Sequence, residues 1–143
     1  MASDTPHPER KSKIIFGIDD ARENRILLEA VVKGAGYSFF GMESGKEALI
    51  TATRIIPRLI LLDIQMPDLD GFETCRRLRT MPQLNPVPIA FLTAAKTPAD
   101  VQMGIAAGGN DFIIKPFDRD QLLRRIEYWT TRRIRPSAAG EEK

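Results

Sequence analysis

Short apolar runs and helical stripes alternate through most of the chain. KIIFGI (13–18), YSFFGM (37–42), RLILLD (58–63), VPIAFL (87–92) and DFIIK (111–115) are rich in Ile, Leu, Phe and Val. Their continuous apolar character predicts strands buried on both faces. Between them lie stretches with helical spacing: ARENRILLEAVVKGAG, GKEALITATRI, GFETCRRLRT, PADVQMGIAAGG and RDQLLRRIEYWTT. In the first of these, Ile26, Leu27, Ala30, Val31 and Ala35 form one stripe, with Gly34 and Gly36 near its end.

The predicted helix starts agree with this division. Asp20 is followed three residues on by Glu23, Ser44 by Glu47, Asp70 by Glu73, Thr97 by Asp100 and Asp118 by Gln121. Each pair resembles a capping box or a close relative. Pro98 falls at a first helical position, where its missing N–H costs little. Five successive strand–helix units imply a parallel sheet covered by helices on both faces, because parallel strands need crossovers.

Composition narrows the setting. A chain of 143 residues suits one domain with a single core. Apolar residues make up 43% and charged residues 28%, as in an ordinary globular protein. A net charge of +2 does not demand a nucleic-acid partner. One cysteine, Cys75, excludes an internal disulfide framework and fits a reducing cytosol. The opening MASDTPHPERKSK has no apolar segment of the secretory kind, and no apolar run approaches a membrane span. The expected location is cytoplasmic. Residues 1–12 and 132–143 read as flexible tails or linker stumps.

The stretch LILLDIQMPDLDGFE (59–73) breaks the pattern. Its apolar run ends in a carboxylate, Asp63, and then enters a loop with two further acids, Asp68 and Asp70. In an open parallel sheet, ligands bind beyond the carboxyl ends of the strands. The other strand ends carry related chemistry: Asp19 and Asp20 after the first, Thr93 after the fourth and Lys115 at the fifth. Three carboxylates in one cleft repel one another, and one lysine leaves the site acidic. Mg²⁺ is the natural addition, since it prefers oxygen ligands and keeps positions open for phosphate. Lys115 and the Thr93 hydroxyl suit phosphoryl oxygens. A carboxylate in that company can be the nucleophile that accepts a phosphoryl group.

On these residues, the chain resembles the receiver domain of two-component response regulators, from about residue 13 to 131. The resemblance rests on Asp19–Asp20 in GIDDARENR, Asp63 in LLDIQMPDLDGFE, Thr93 in FLTAA and Lys115 in FIIKPF, in that order. It implies an α/β, flavodoxin-like, doubly wound fold with five parallel strands in the order 2-1-3-4-5 and five helices, in three layers. It implies that Asp63 is the phosphoacceptor. Asp20, Asp63 and the backbone carbonyl of Gln65 would bind Mg²⁺, with Asp19 acting through water. Lys115 and Thr93 would hold the phosphoryl oxygens, and a cis peptide is expected at Lys115–Pro116. Thr93 and Phe112 would form the switch, and Gln65 and Ala95 would tune the approach of water. Phe112 lacks the hydroxyl that Tyr carries in many members, so packing would drive that switch. The implied partners are a histidine kinase or histidine phosphotransfer protein, and a downstream protein or an output domain. The face made by the fourth helix, fifth strand and fifth helix would report the state.

Other readings are weighed beside this one. An aspartate-nucleophile hydrolase resembles the pattern Asp-x-Asp, and Gln65 occupies the second position. A nucleic-acid module could use Arg124, Arg125, Arg132, Arg133 and Arg135, although such charges more often form a solvated face. Asp68 and Asp70 read as turn and cap residues, and Cys75 as packing. His7, the only histidine, lies in the N-terminal stretch, so any histidine phosphodonor is another protein.

Overall fold

The computed structural model describes residues 11–94 and 96–131. His7, Ala95, Arg132, Arg133 and Arg135 lie outside the described residues, as do 1–10 and 132–143 of the expected tails. The strands are β1 (Ile14–Ile18), β2 (Ser38–Met42), β3 (Leu59–Asp63), β4 (Ile89–Thr93) and β5 (Asp111–Ile114). The helices that follow them are α1 (Arg22–Gly34), α2 (Gly45–Thr51), α3 (Gly71–Leu78), α4 (Pro98–Ala107) and α5 (Arg119–Thr130). A 3-10 turn at Pro82–Leu84 precedes β4. All strand pairs are parallel, in the order β2-β1-β3-β4-β5. This is the flavodoxin-like arrangement expected from the alternating pattern and the resemblance.

Alternate side chains of each strand point to opposite faces, so the sheet divides the core in two. Phe16, Ile60, Leu62 and Phe91 pack with Ala48 of α2, Phe72 and Cys75 of α3, and Ala107 of α4. Ile15, Leu59, Leu61 and Leu92 pack with Leu28 and Val32 of α1 and Leu122 and Ile126 of α5. The result is three layers.

Burial on both faces holds for β3 and β4, whose every residue is buried. It does not hold for the edge strands. Only Met42 in β2 and Ile113 in β5 are buried, because an edge strand has one neighbour and partial helix cover. The α1 stripe is also shifted. Leu28, Val31 and Val32 face the core, while Ile26 is 54% exposed and Ala30 is exposed.

Three of the predicted caps form: Ser44, Asp70 and Thr97 accept the N–H of Glu47, Glu73 and Asp100. The Asp20–Glu23 pair does not. The N-cap of α1 is Ala21, without a side-chain cap. The Ala21 N–H instead donates to Oδ1 of the buried Asp19, at 3.0 Å. Asp118 caps the N–H of Asp120 rather than pairing with Gln121. Helix α2 stops at Thr51, short of the expected Ile55. Its end unwinds through Thr53 N–H to Ile50 C=O and Arg54 N–H to Thr51 C=O, ahead of Pro57, which disfavours helix in the residue before it.

Candidate functional site

The fold brings distant carboxylates together. Asp63 is the last residue of β3, Asp19 and Asp20 follow β1, and Lys115 follows β5. The register places Ile18 beside Leu62 and Asp63 beside Leu92, so these strand ends share one edge of the sheet. Carboxylate oxygens of Asp19, Asp20 and Asp63 lie within 4.8 Å of one another. Lys115 Nζ bridges Asp19 Oδ2 and Asp63 Oδ1, each at 3.1 Å.

Asp63 stands at the tip of a fully buried strand, and the following loop is held close to it. The Gly71 N–H closes the loop on the Ile64 carbonyl at 2.8 Å. Only glycine fits here, since a Cβ would run into the Asp63 carbonyl. Asp68 adopts the left-handed region at φ 69° and serves the turn, and Asp70 caps α3. Neither belongs to the carboxylate group of Asp19, Asp20 and Asp63.

The three acids differ in what already holds them. Asp19 is fully buried. Its Oδ1 accepts the Ala21 N–H at 3.0 Å and the Asn24 amide at 3.3 Å. Its Oδ2 accepts the Asn24 amide at 3.2 Å and Lys115 at 3.1 Å. Asp63 Oδ1 accepts Lys115 and, at 3.4 Å, the Gln65 N–H. Among the described residues, no hydrogen-bond donor reaches Asp63 Oδ2 or the exposed Asp20 carboxylate. Burial, and then the charge of Asp19, push the Asp63 carboxyl up to about 6 against the pull of Lys115. Burial works against the Lys115 charge too, but the hydrogen bonds and charges of Asp63 and Asp19 outweigh it and hold the ammonium above its ordinary value.

Thr93 ends β4 one residue beyond the partner of Asp63, and it is buried. The Lys115 N–H donates to the Thr93 carbonyl at 2.7 Å, which ties the ends of β4 and β5. Gln65 is exposed at the rim. The Lys115–Pro116 bond is cis. Phe112 packs its ring 5.3 Å from that of Phe91, over Gly104 of α4, where a Cβ would strike the ring.

Sequence reasoning did not reach Asn24 and Arg25. Asn24 donates to both Asp19 oxygens, and Arg25 Nη1 donates to the Asp19 carbonyl at 2.7 Å. The available signal was a pair of polar residues in the first turn of α1, five and six positions after Asp19. Arg125, read earlier as a solvated or nucleic-acid-facing charge, pairs instead with Asp111. Cys75 is buried, with its thiol pushed up to about 11 by burial and its Sγ–H donated to the Ala107 carbonyl at 3.3 Å. It is packing, and unreactive.

The pattern of response regulator receiver domains matches residues 15–127. The chain belongs to that family. This receiver domain is 36% identical over 116 residues to the response regulator PleD of Caulobacter vibrioides, covering 81% of this chain and 26% of PleD. It is 38% identical over 127 residues to the response regulator MprA of Mycobacterium leprae, covering 89% of this chain and 54% of MprA. The receiver domain thus spans about a quarter of one relative and about half of the other. Among solved structures, it matches the chemotaxis protein CheY4 of Vibrio cholerae with a TM-score of 0.79 and 29% identity, covering 82% of this chain and 98% of that one. It also matches the receiver domain of the sensor histidine kinase PA1611 of Pseudomonas aeruginosa, with a TM-score of 0.78 and 31% identity, covering 85% and 99%. That structure holds a magnesium ion in its active-site cleft.

The residues of this receiver domain fit such an ion. Oxygen-only donors suit a hard cation. The exposed Asp20 and the Asp63 oxygen that has no donor among the described residues are the carboxylate positions left for it, while Lys115 already bridges Asp19 and Asp63. Receiver domains are signalling switches rather than dedicated enzymes. No helix among the described residues is long and apolar enough to cross a membrane.

Proposed function

We propose that this chain is a Mg²⁺-dependent phosphoacceptor switch of a two-component phosphorelay, with Asp63 as the residue phosphorylated. The donor is the phosphohistidine of a histidine kinase or a phosphotransfer protein. The observation that carries this reading is the uneven occupancy of the pocket: Asp63 Oδ2 and Asp20 lack donors among the described residues, while Lys115 holds Asp63 Oδ1 at 3.1 Å.

Lys115 holds one oxygen of the Asp63 carboxylate, and that carboxylate is the nucleophile. A carboxylate lone pair forms the new bond to phosphorus as the phosphorus–nitrogen bond of the donor breaks. The imidazole leaves with that electron pair and takes up a proton. Asp20, Asp63 and the Gln65 carbonyl would hold Mg²⁺, with Asp19 acting through water, and the bound ion would supply neutralisation of negative charge on the phosphoryl oxygens. Lys115 and the Thr93 hydroxyl then hold the phosphoryl group, and Gln65 tunes the approach of hydrolytic water.

The output is a packing change. Thr93 moves toward the new oxygens and Phe112 turns inward into the space that Thr93 vacates. The altered α4–β5–α5 face meets a downstream protein or an output domain. The phosphoacceptor unit spans 13–131, and its setting is cytoplasmic.

The test is mass spectrometry after incubation with Mg²⁺ and acetyl phosphate. The parent gains one phosphoryl mass. Asp63→Asn, Asp20→Asn and a chelated control do not. Equal labelling of Asp63→Asn and parent would remove the assignment.

A further inference from the structure

Asn24 has no part in the phosphoryl chemistry above, yet among the described residues its amide is the one uncharged side chain bonded to the acidic cluster. Asp19 accepts the Ala21 N–H on Oδ1 and Lys115 on Oδ2, and the single Asn24 Nδ2 spans both oxygens, at 3.0–3.3 Å. Arg25 holds the same residue by its carbonyl at 2.7 Å, so backbone and side chain are both fixed. Asp19 is fully buried, and it lies beside a pocket where Asp20 and Asp63 Oδ2 have no donors among the described residues.

We propose that Asn24 is a positioning residue for the cation. By occupying both Asp19 oxygens, it keeps that carboxylate aimed at the pocket but outside the inner coordination sphere. Asp20 and Asp63 are then left as the direct carboxylate ligands. A neutral donor suits this task. A cation at 24 would compete with the metal, and a carboxylate would drive Asp19 away. The same bonds limit how strongly Asp19 draws on Lys115, which it shares equally with Asp63 at 3.1 Å. The proposal rests on the Mg²⁺ site of the phosphoacceptor reading and assigns one further residue to it.

The test is calorimetric titration of the full chain with Mg²⁺ alone, comparing the parent with Asn24→Leu, which keeps the branching and the number of heavy atoms and removes the donor. Loss of a partner that orients a ligand weakens metal binding by about tenfold or more, and that is the change expected. A purely structural Asn24 would lower urea resistance and leave the Mg²⁺ affinity unmoved, which would overturn the proposal. A parent that binds no Mg²⁺ would sink the phosphoacceptor reading together with this one. Should Asn24→Leu fail to fold, nuclear magnetic resonance of the parent decides. The Asn24 side-chain NH₂ signals shift as Mg²⁺ is added if the proposal holds, and signals unmoved at saturation reject it.

Discussion

Two clusters built around aspartate stand at opposite ends of β5, and they solve the problem of a buried charge in opposite ways. At the start of the strand, Asp111 accepts Arg125 on both oxygens, the Trp129 indole N–H at 2.8 Å and the Phe112 N–H at 2.8 Å. Its valences are closed, and the cluster ties an edge strand to α5. Just past the other end, Lys115 reaches a group of three acids in which Asp20 and one oxygen of Asp63 are left without donors among the described residues. The difference separates a fastening from a binding site. A closed charge cluster stabilises the fold, whereas an open one holds repulsion that a ligand can relieve.

Substitutions at the two ends should therefore have opposite signs. The largest effect is expected from Asp111→Ala, which strands a half-buried Arg125 and frees two N–H donors. Urea unfolding should show a loss of about 3 kcal/mol, while Mg²⁺ affinity stays at the parent value. A parallel loss of Mg²⁺ binding would show that the two clusters are not separate.

Next is the metal itself. Mg²⁺ at about a hundredfold excess over its dissociation constant should raise stability by about 2.7 kcal/mol. Thermal unfolding of Asp20→Asn should show most of that gain gone.

A smaller effect, of the reverse sign to Asp111→Ala, is expected from Asp63→Asn without metal. The Asp63 carboxyl is raised from 3.8 to about 6. As pH rises, the unfolded chain ionises first, so the fold loses stability between about pH 4 and pH 6 and does not regain it above. Removing the charge should stabilise the metal-free protein above that range, by no more than the roughly 3 kcal/mol that a shift of this size represents, with no gain below about pH 4. Destabilisation at pH 7 would mean that the Lys115 contact outweighs burial and repulsion.

The smallest expected change is at a site belonging to neither cluster. Ser44 caps α2 through the Glu47 N–H at 3.2 Å, and Ser44→Ala should cost about 1 kcal/mol in urea and leave phosphorylation intact.

The contrast between the clusters also explains what was legible beforehand. The open cluster announced itself, because an apolar run ending in Asp63 has no packing reason to do so. The closed one did not. Arg125 reads as a surface charge until the chain brings it to Asp111, fourteen positions earlier. The same holds at α1. Asp20 looks like a cap by spacing, but Asp19 is the residue turned inward, and it takes the Ala21 N–H. Ser44, Asp70 and Thr97 were readable as caps because each bonds within its own first turn.

The order of five apolar runs and five helical stripes, the helix starts with local caps, and the placement of acids and lysine at strand ends were determined by the sequence alone. These depend on backbone periodicity and on contacts a few residues apart. Tertiary structure decided which strands lie at the edges and which face of α1 is buried. It also decided that Asn24 and Arg25 hold Asp19, and which carboxylate oxygens are left open. Those outcomes depend on hydrogen bonds and burial between segments far apart in the chain, and spacing along one segment carries no record of them.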